Sequence, residues 1–128
     1  MIIDTNVLIW LERETRKGVP GAATGFFESL SETRLCVTPT IAGEIACGAS
    51  MSGRDAWEKF LLPFEMLTID AEAAWHYGNQ YRALAGRGEL IGSNDLWIAA
   101  TALAHELPLA TGNVQEFERV RGLTVVGV

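Results

Sequence analysis

Short apolar, β-branched runs alternate with helical patterns along the whole chain, and this alternation restricts the fold more than any other feature. "MIID", "RLCVT", "EMLTI", "LPLAT" and "LTVVGV" each have the length and composition of a strand. Between them lie segments with helical spacing. "NVLIWLERE" has Asn6 near its cap, a second helix runs from Ala22 to about Ser31, and "TIAGEIACGASM" and "RDAWEKFLLPF" follow, the latter closing near Pro63. A long helix opens at Asp70 and stops at Gly86 to Gly88, "SNDLWIAATALAHE" is apolar nearly all round, and "NVQEFERV" is short. Strands that alternate with helices pair in parallel and need cover on both faces. The expected architecture is α/β: a three-layer α/β/α sandwich around a central, mostly parallel sheet. Residues 1–128 are expected to form one domain, with no repeat, linker or low-complexity segment.

Composition narrows the class. Apolar residues make up 48% and charged residues 20%, which is the profile of an ordered globule. No apolar run approaches bilayer-spanning length and no signal-peptide pattern is present, so a cytoplasmic protein with no membrane partner is expected. Cys36 and Cys47 lack metal-ligand spacing and sit among small or apolar neighbours, and both are expected to be reduced and buried. The net charge of −6 argues against a protein that coats nucleic acid through a basic surface. It leaves room for an enzyme that meets phosphates through metal ions, because a metal site needs concentrated acids.

In an open parallel sheet, ligands gather at the carboxyl ends of the strands. Asp4 ends the first strand, and "TGN" (Thr111 to Asn113) follows the strand "LPLA", with Glu116 one turn further on. Asp95 stands in the first turn of the apolar helix, and Glu44 is the only charged residue between Arg34 and Arg54. Each has a structural explanation. Asp95 suits a helix N-terminus, Asn113 and Glu116 have the spacing of a capping box, and Glu44 lies off the apolar stripe of its helix. A solvated face normally carries several charges, however, and Glu44 is alone. Asp4 resists such an explanation most, since a carboxylate at the end of a buried strand needs partners or a metal. Four acids converging at one sheet edge repel one another unless a hard cation such as Mg²⁺ or Mn²⁺ holds them. That arrangement suits phosphodiester hydrolysis.

Four segments, "IIDTN", "TIAGEI", "NDLWIAATAL" and "LATGNVQEFERV", occur in this order and span the chain. Together they resemble the PIN-domain family, and more closely the VapC-type toxins of toxin–antitoxin pairs. The resemblance implies a metal-dependent endoribonuclease that uses Mg²⁺ or Mn²⁺, acts on RNA, has a cognate antitoxin and forms a homodimer. It assigns the family's acids to Asp4, Glu44 and Asp95, ligand- or water-orienting polar residues to Asn6 and Thr111, and the motif asparagine to Asn113. The family's fourth acid is usually Asp. Here it is Glu116, one methylene longer, which suits contact with the metal through water.

Two other classes remain open on the residues alone. One is a PIN-like module that binds RNA or protein without catalysis. The other is a phosphatase with an aspartyl nucleophile after the first strand, which wants a second Asp where this chain has Asn6. His76 and His105 have no matching nucleophile. Among scattered cations, Arg13, Arg16 and Lys17, following the first helix, are the best candidates for phosphate contacts. Arg82, Arg87, Arg119 and Arg121 read as solvated surface.

Overall fold

In the computed structural model, which describes residues 1–128, five very short strands define the sheet. They are β1 (Ile2–Ile3), β2 (Cys36–Val37), β3 (Glu65–Met66), β4 (Leu109–Thr111) and β5 (Val125–Gly127). Their spatial order is β3-β2-β1-β4-β5, and every neighbouring pair is parallel, where the sequence implied only a mostly parallel sheet. The chain builds outward from β1 to β2 and β3 on one side, then crosses to β4 and β5 on the other. The direction of building therefore reverses between β1 and β4, which is where open α/β sheets form their ligand crevice.

Seven helices flank this sheet: α1 (Thr5–Lys17), α2 (Ala22–Ser29), α3 (Pro39–Ala46), α4 (Arg54–Leu61), α5 (Ala71–Gly86), α6 (Ser93–His105) and α7 (Val114–Phe117). Ile2, Ile3, Val37, Leu109 and Ala110 are fully buried in the sheet layer, with Val7 and Leu8 of α1, Ile41 of α3 and Ile98 of α6 packed in the same core. Burial on both faces explains why β1, β2 and β4 read as apolar runs rather than as alternating patterns, whereas β3 at the sheet edge is exposed at both residues. α6 buries Thr101 as well, which is tolerated because its hydroxyl donates to the Trp97 carbonyl one turn earlier, at 2.7 Å. No helix is long and apolar enough to cross a membrane.

Several local expectations change. The paired strands are only two or three residues long, because the chain enters a helix or turn soon after each register is made. Pro39 opens α3 as well as ending the strand before it. It sits in the first turn, and Thr38 caps the helix by accepting from the Ile41 N–H at 3.2 Å. The "GASM" end of the third helical segment is a separate 3₁₀ turn (Ala49–Met51). α1 starts at Thr5 with Asp4, rather than Asn6, as its cap, and it continues to Lys17. Arg13, Arg16 and Lys17 are thus part of the helix and do not follow it. Cys36 is buried as expected, but Cys47 is exposed, since it falls at the C-cap of α3 where the helix leaves the core.

α1 is joined to its surroundings at both ends. Gly18 stops it in the left-handed conformation at φ 66°. The Glu14 carboxylate then accepts from the N–H groups of Gly21 (3.0 Å), Ala23 (3.2 Å) and Thr24 (2.8 Å) and from the Thr24 hydroxyl (2.6 Å). It thereby caps α2, whose own cap residue, Gly21, has no side chain to do so. Nearer the other end, the Trp10 ring lies against the backbone of Gly112. A Cβ at position 112 would fall 2.1 Å from the ring.

That contact predicts a coupled pair. Gly112→Ala should destabilise the protein by about 1–3 kcal/mol, the usual cost of overpacking. Trp10→Phe, which withdraws the ring's far edge, should cost clearly less in the Gly112→Ala background than alone. Denaturant unfolding of the four proteins measures this, and additive losses would mean that the turn simply moves aside.

Candidate active site

Four carboxylates from four separate elements meet at the carboxyl end of the sheet, at the reversal between β1 and β4. Asp4 follows β1, Glu44 lies on α3, Asp95 in the first turn of α6 and Glu116 on α7. Asp4 is only 3% exposed, and the other three are partly buried. Glu44 is therefore not on the solvated face that its helical position allowed. The neighbouring charges that raise the Asp4 and Asp95 carboxyls are those of other members of this cluster.

The hydrogen bonds show how the acids are held. The Asp4 Oδ1 accepts from the Thr5 N–H at 2.8 Å, and its Oδ2 accepts from the Thr111 hydroxyl at 2.6 Å. Thr111 in turn accepts from the Asn113 N–H at 3.0 Å, which fixes the hydroxyl so that its proton points to Asp4. Thr5 also donates its side-chain hydroxyl to Glu44 Oε1 at 2.8 Å. One residue at the start of α1 thus ties the β1 acid to the α3 acid. The Asn113 side-chain amide donates to Glu116 Oε2. The spacing of Asn113 and Glu116 suggested a capping box, in which the acid reaches a backbone N–H. Here Asn113 makes no side-chain cap bond, and Glu116 binds its amide side chain instead.

Electrostatics follow from this crowding. Burial pushes the Asp4 carboxyl up from its ordinary value, the bonds from Thr111 and Thr5 oppose that, and Glu44 and Glu116 add to it. Asp95 is raised further, to about 7, first by burial, then by the charges of Glu116 and Asp4, by a shared hydrogen bond with Glu116, and by Glu44. Without a cation, the Asp95 carboxyl therefore keeps its proton well above the usual carboxylate range.

Asn6 is exposed on the first turn of α1, next to this cluster in the chain. Arg13 and Arg16 share a cleft with Glu44, and Lys17 is not among the residues lining it. Thr5 is the one site residue that sequence reasoning missed. A threonine at the start of a helix is ordinary, and only the fold brings Glu44, 39 positions away, to its hydroxyl.

The chain is similar to known proteins along nearly its whole length. The PIN domain family model matches residues 1–123. The chain is 32% identical over 129 residues to ribonuclease VapC1 of Haemophilus influenzae, an alignment covering 95% of this chain and 92% of that protein. It is 32% identical over 127 residues to the tRNA(fMet)-specific endonuclease VapC of Shigella flexneri, with the same coverage. Among solved structures, VapBC-1 from nontypeable Haemophilus influenzae superposes with a TM-score of 0.79 and 29% identity, over 98% of this chain and 96% of the matched chain. The DNA-bound VapBC of Salmonella typhimurium gives 0.81 and 26%, again over 98% and 96%. Residues matched from end to end, and an acidic cluster at the sheet reversal, lead to one assignment: the chain belongs to the PIN-domain family and, within it, to the VapC group.

Proposed function

We propose that this chain is a metal-dependent endoribonuclease, the toxin of a toxin–antitoxin pair, acting in the cytoplasm as a homodimer restrained by a cognate antitoxin. The observation that carries the catalytic part is the set of four carboxylates acting on one another. The relatives support the ribonuclease and antitoxin parts, being ribonucleases by name and, in the solved structures, VapBC complexes, while the homodimer and the cytoplasmic location rest on the family resemblance alone.

The donor set fits a hard divalent ion, Mg²⁺ or Mn²⁺. All the donors are carboxylate oxygens, although no three His, Cys, Asp or Glu side chains stand close enough together in this structure to hold an ion. Mg²⁺ dehydrates reluctantly and completes its shell with water and substrate phosphate, so it needs few direct protein ligands. Asp4, Glu44 and Asp95 would hold the ion, with Glu116 completing the pocket through water. When bound, the ion supplies a more acidic water and offsets charge building on the phosphate oxygens. The chain's own part is orientation. Thr111 and Thr5 fix both oxygens of Asp4, Thr5 fixes Glu44, and Asn113 restrains Glu116. The family resemblance gives Asn6 a part in orienting substrate or water.

Metal dependence tests the reading directly. RNA cleavage by the purified protein should require Mg²⁺ or Mn²⁺ and stop in excess EDTA. Asp4→Asn should abolish cleavage and remove growth arrest in a host lacking the antitoxin, while the protein still folds. Cleavage that persists in EDTA, or equal toxicity of the two forms, would overturn it.

Asp95 predicts a pH dependence. Its folded pKa of about 7 lies above the ordinary value of 3.8, so between those values the folded state binds the proton more tightly than the unfolded chain. Without metal, stability should therefore fall as pH rises from about 4 to about 7. Asp95→Asn should flatten that fall and be the more stable form at pH 8. Thermal melts in EDTA across this range decide it, and parallel curves would place Asp95 outside the cluster.

Glu116→Gln removes a charge while keeping an oxygen for the Asn113 amide. Its cleavage rate should drop by less than that of Asp4→Asn and recover partly with added Mn²⁺, and its metal-free stability should hold or rise. Rate curves against Mn²⁺ that superimpose on the wild type would leave a three-acid site.

A further inference from the structure

Next to the acidic cluster, α1 and α3 leave an open cleft of about 570 Å³, with Glu44 on one side and Arg13 and Arg16 on the other. The three cations near the end of α1 are not equivalent. Arg16 holds Glu12 at 3.1 Å. Both Arg16 and Lys17 stand in the last turn, where a positive charge complements the terminal carbonyls, and Lys17 does not line the cleft. Arg13 is exposed, lines the cleft and makes no ion pair. It is a free guanidinium at the approach to four acids, in a chain of net charge −6.

A polyanion entering such a site is repelled by the acids, and a cation beside the entrance offsets that repulsion. Arg13 follows Asp4 by nine residues, about 13 Å along the helix. It is thus too far to touch the phosphate that is cut and well placed for a flanking one. Ile9, Met51 and Phe60 give the same cleft an apolar surface, against which a base or ribose can lie. Because the cleft opens on Glu44 itself, a chain lying in it continues into the acidic site.

The geometry points to this cleft as the path of single-stranded RNA on one side of the cut bond, with the Arg13 guanidinium holding a flanking phosphate. This rests on the ribonuclease reading above and adds to it the direction in which the substrate leaves the acids. Arg13 acts on binding and takes no part in the chemical step.

The test is cleavage of a single-stranded RNA with Mn²⁺ over a salt series by wild type, Arg13→Gln, Arg13→Lys and Arg121→Gln. Arg121→Gln makes the same change in net charge at an exposed position outside the cleft. Arg13→Gln should raise KM several-fold, with the loss falling in KM rather than kcat. It should also reduce the slope of log(kcat/KM) against log salt by about 0.7, the contribution of one phosphate contact on a single strand. Arg13→Lys should keep the slope and recover part of the KM loss, since a point charge replaces a bidentate one. If Arg13→Gln and Arg121→Gln behave alike, the proposal fails while the ribonuclease reading stands. An Arg13→Gln protein that cuts RNA normally but no longer binds its antitoxin would assign the cleft to the protein partner and overturn the proposal. A wild type that cuts no RNA with metal would overturn both.

Discussion

A carboxylate held almost out of water at the seam of β1 and β4 governs the middle of this molecule. Asp4 is 3% exposed, and an unsatisfied charge in that position would cost more than the marginal stability of a small domain allows. Its two oxygens must therefore be met from both sides of the seam. The chain turns into α1 at once, so that the Thr5 N–H reaches Oδ1, and β4 ends on a residue with a hydroxyl, so that Thr111 reaches Oδ2. The Asn113 N–H then orients Thr111. The "TGN" turn is constrained twice, by this line of donors and by the Trp10 ring against Gly112.

The structural and functional explanations of these acids are not rivals. Asp4 is both the cap of α1 and the most buried member of the cluster. Asp95 sits where a helix N-terminus favours an acid, yet burial and its neighbours raise its pKa. Glu116 is held by Asn113, as a capping pair would be, but through the side-chain amide, which leaves the backbone out of the bond. A fold that places acids at strand and helix ends obtains local caps and a cation-binding edge from the same residues.

Much of this was legible in the sequence, for a physical reason. Strands buried on both faces must be apolar throughout, so an acid at the end of one, such as Asp4, is conspicuous, and so is a charge isolated like Glu44. The alternation of strand and helix likewise led directly to a parallel sheet. What could not be read depended on contacts made at long range. Thr5 has an unremarkable local context, and its role appears only when α3 comes to lie beside it. The difference among Arg13, Arg16 and Lys17 rests on which cation finds a partner, and Glu12 takes Arg16. Cys47 looked buried because its neighbours are small, but the helix it follows has already left the core there.

The clasp made by Glu14 divides α1 into two regions of different standing. Its carboxylate carries the first N–H groups of α2, so the loop between the helices cannot open without releasing the C-terminal half of α1. The N-terminal half is anchored separately, by Asp4 and Thr5 in the protein's interior. Both halves of α1 are therefore tied down, one to α2 and the other to α3, so neither end can shift without breaking side-chain bonds to another element.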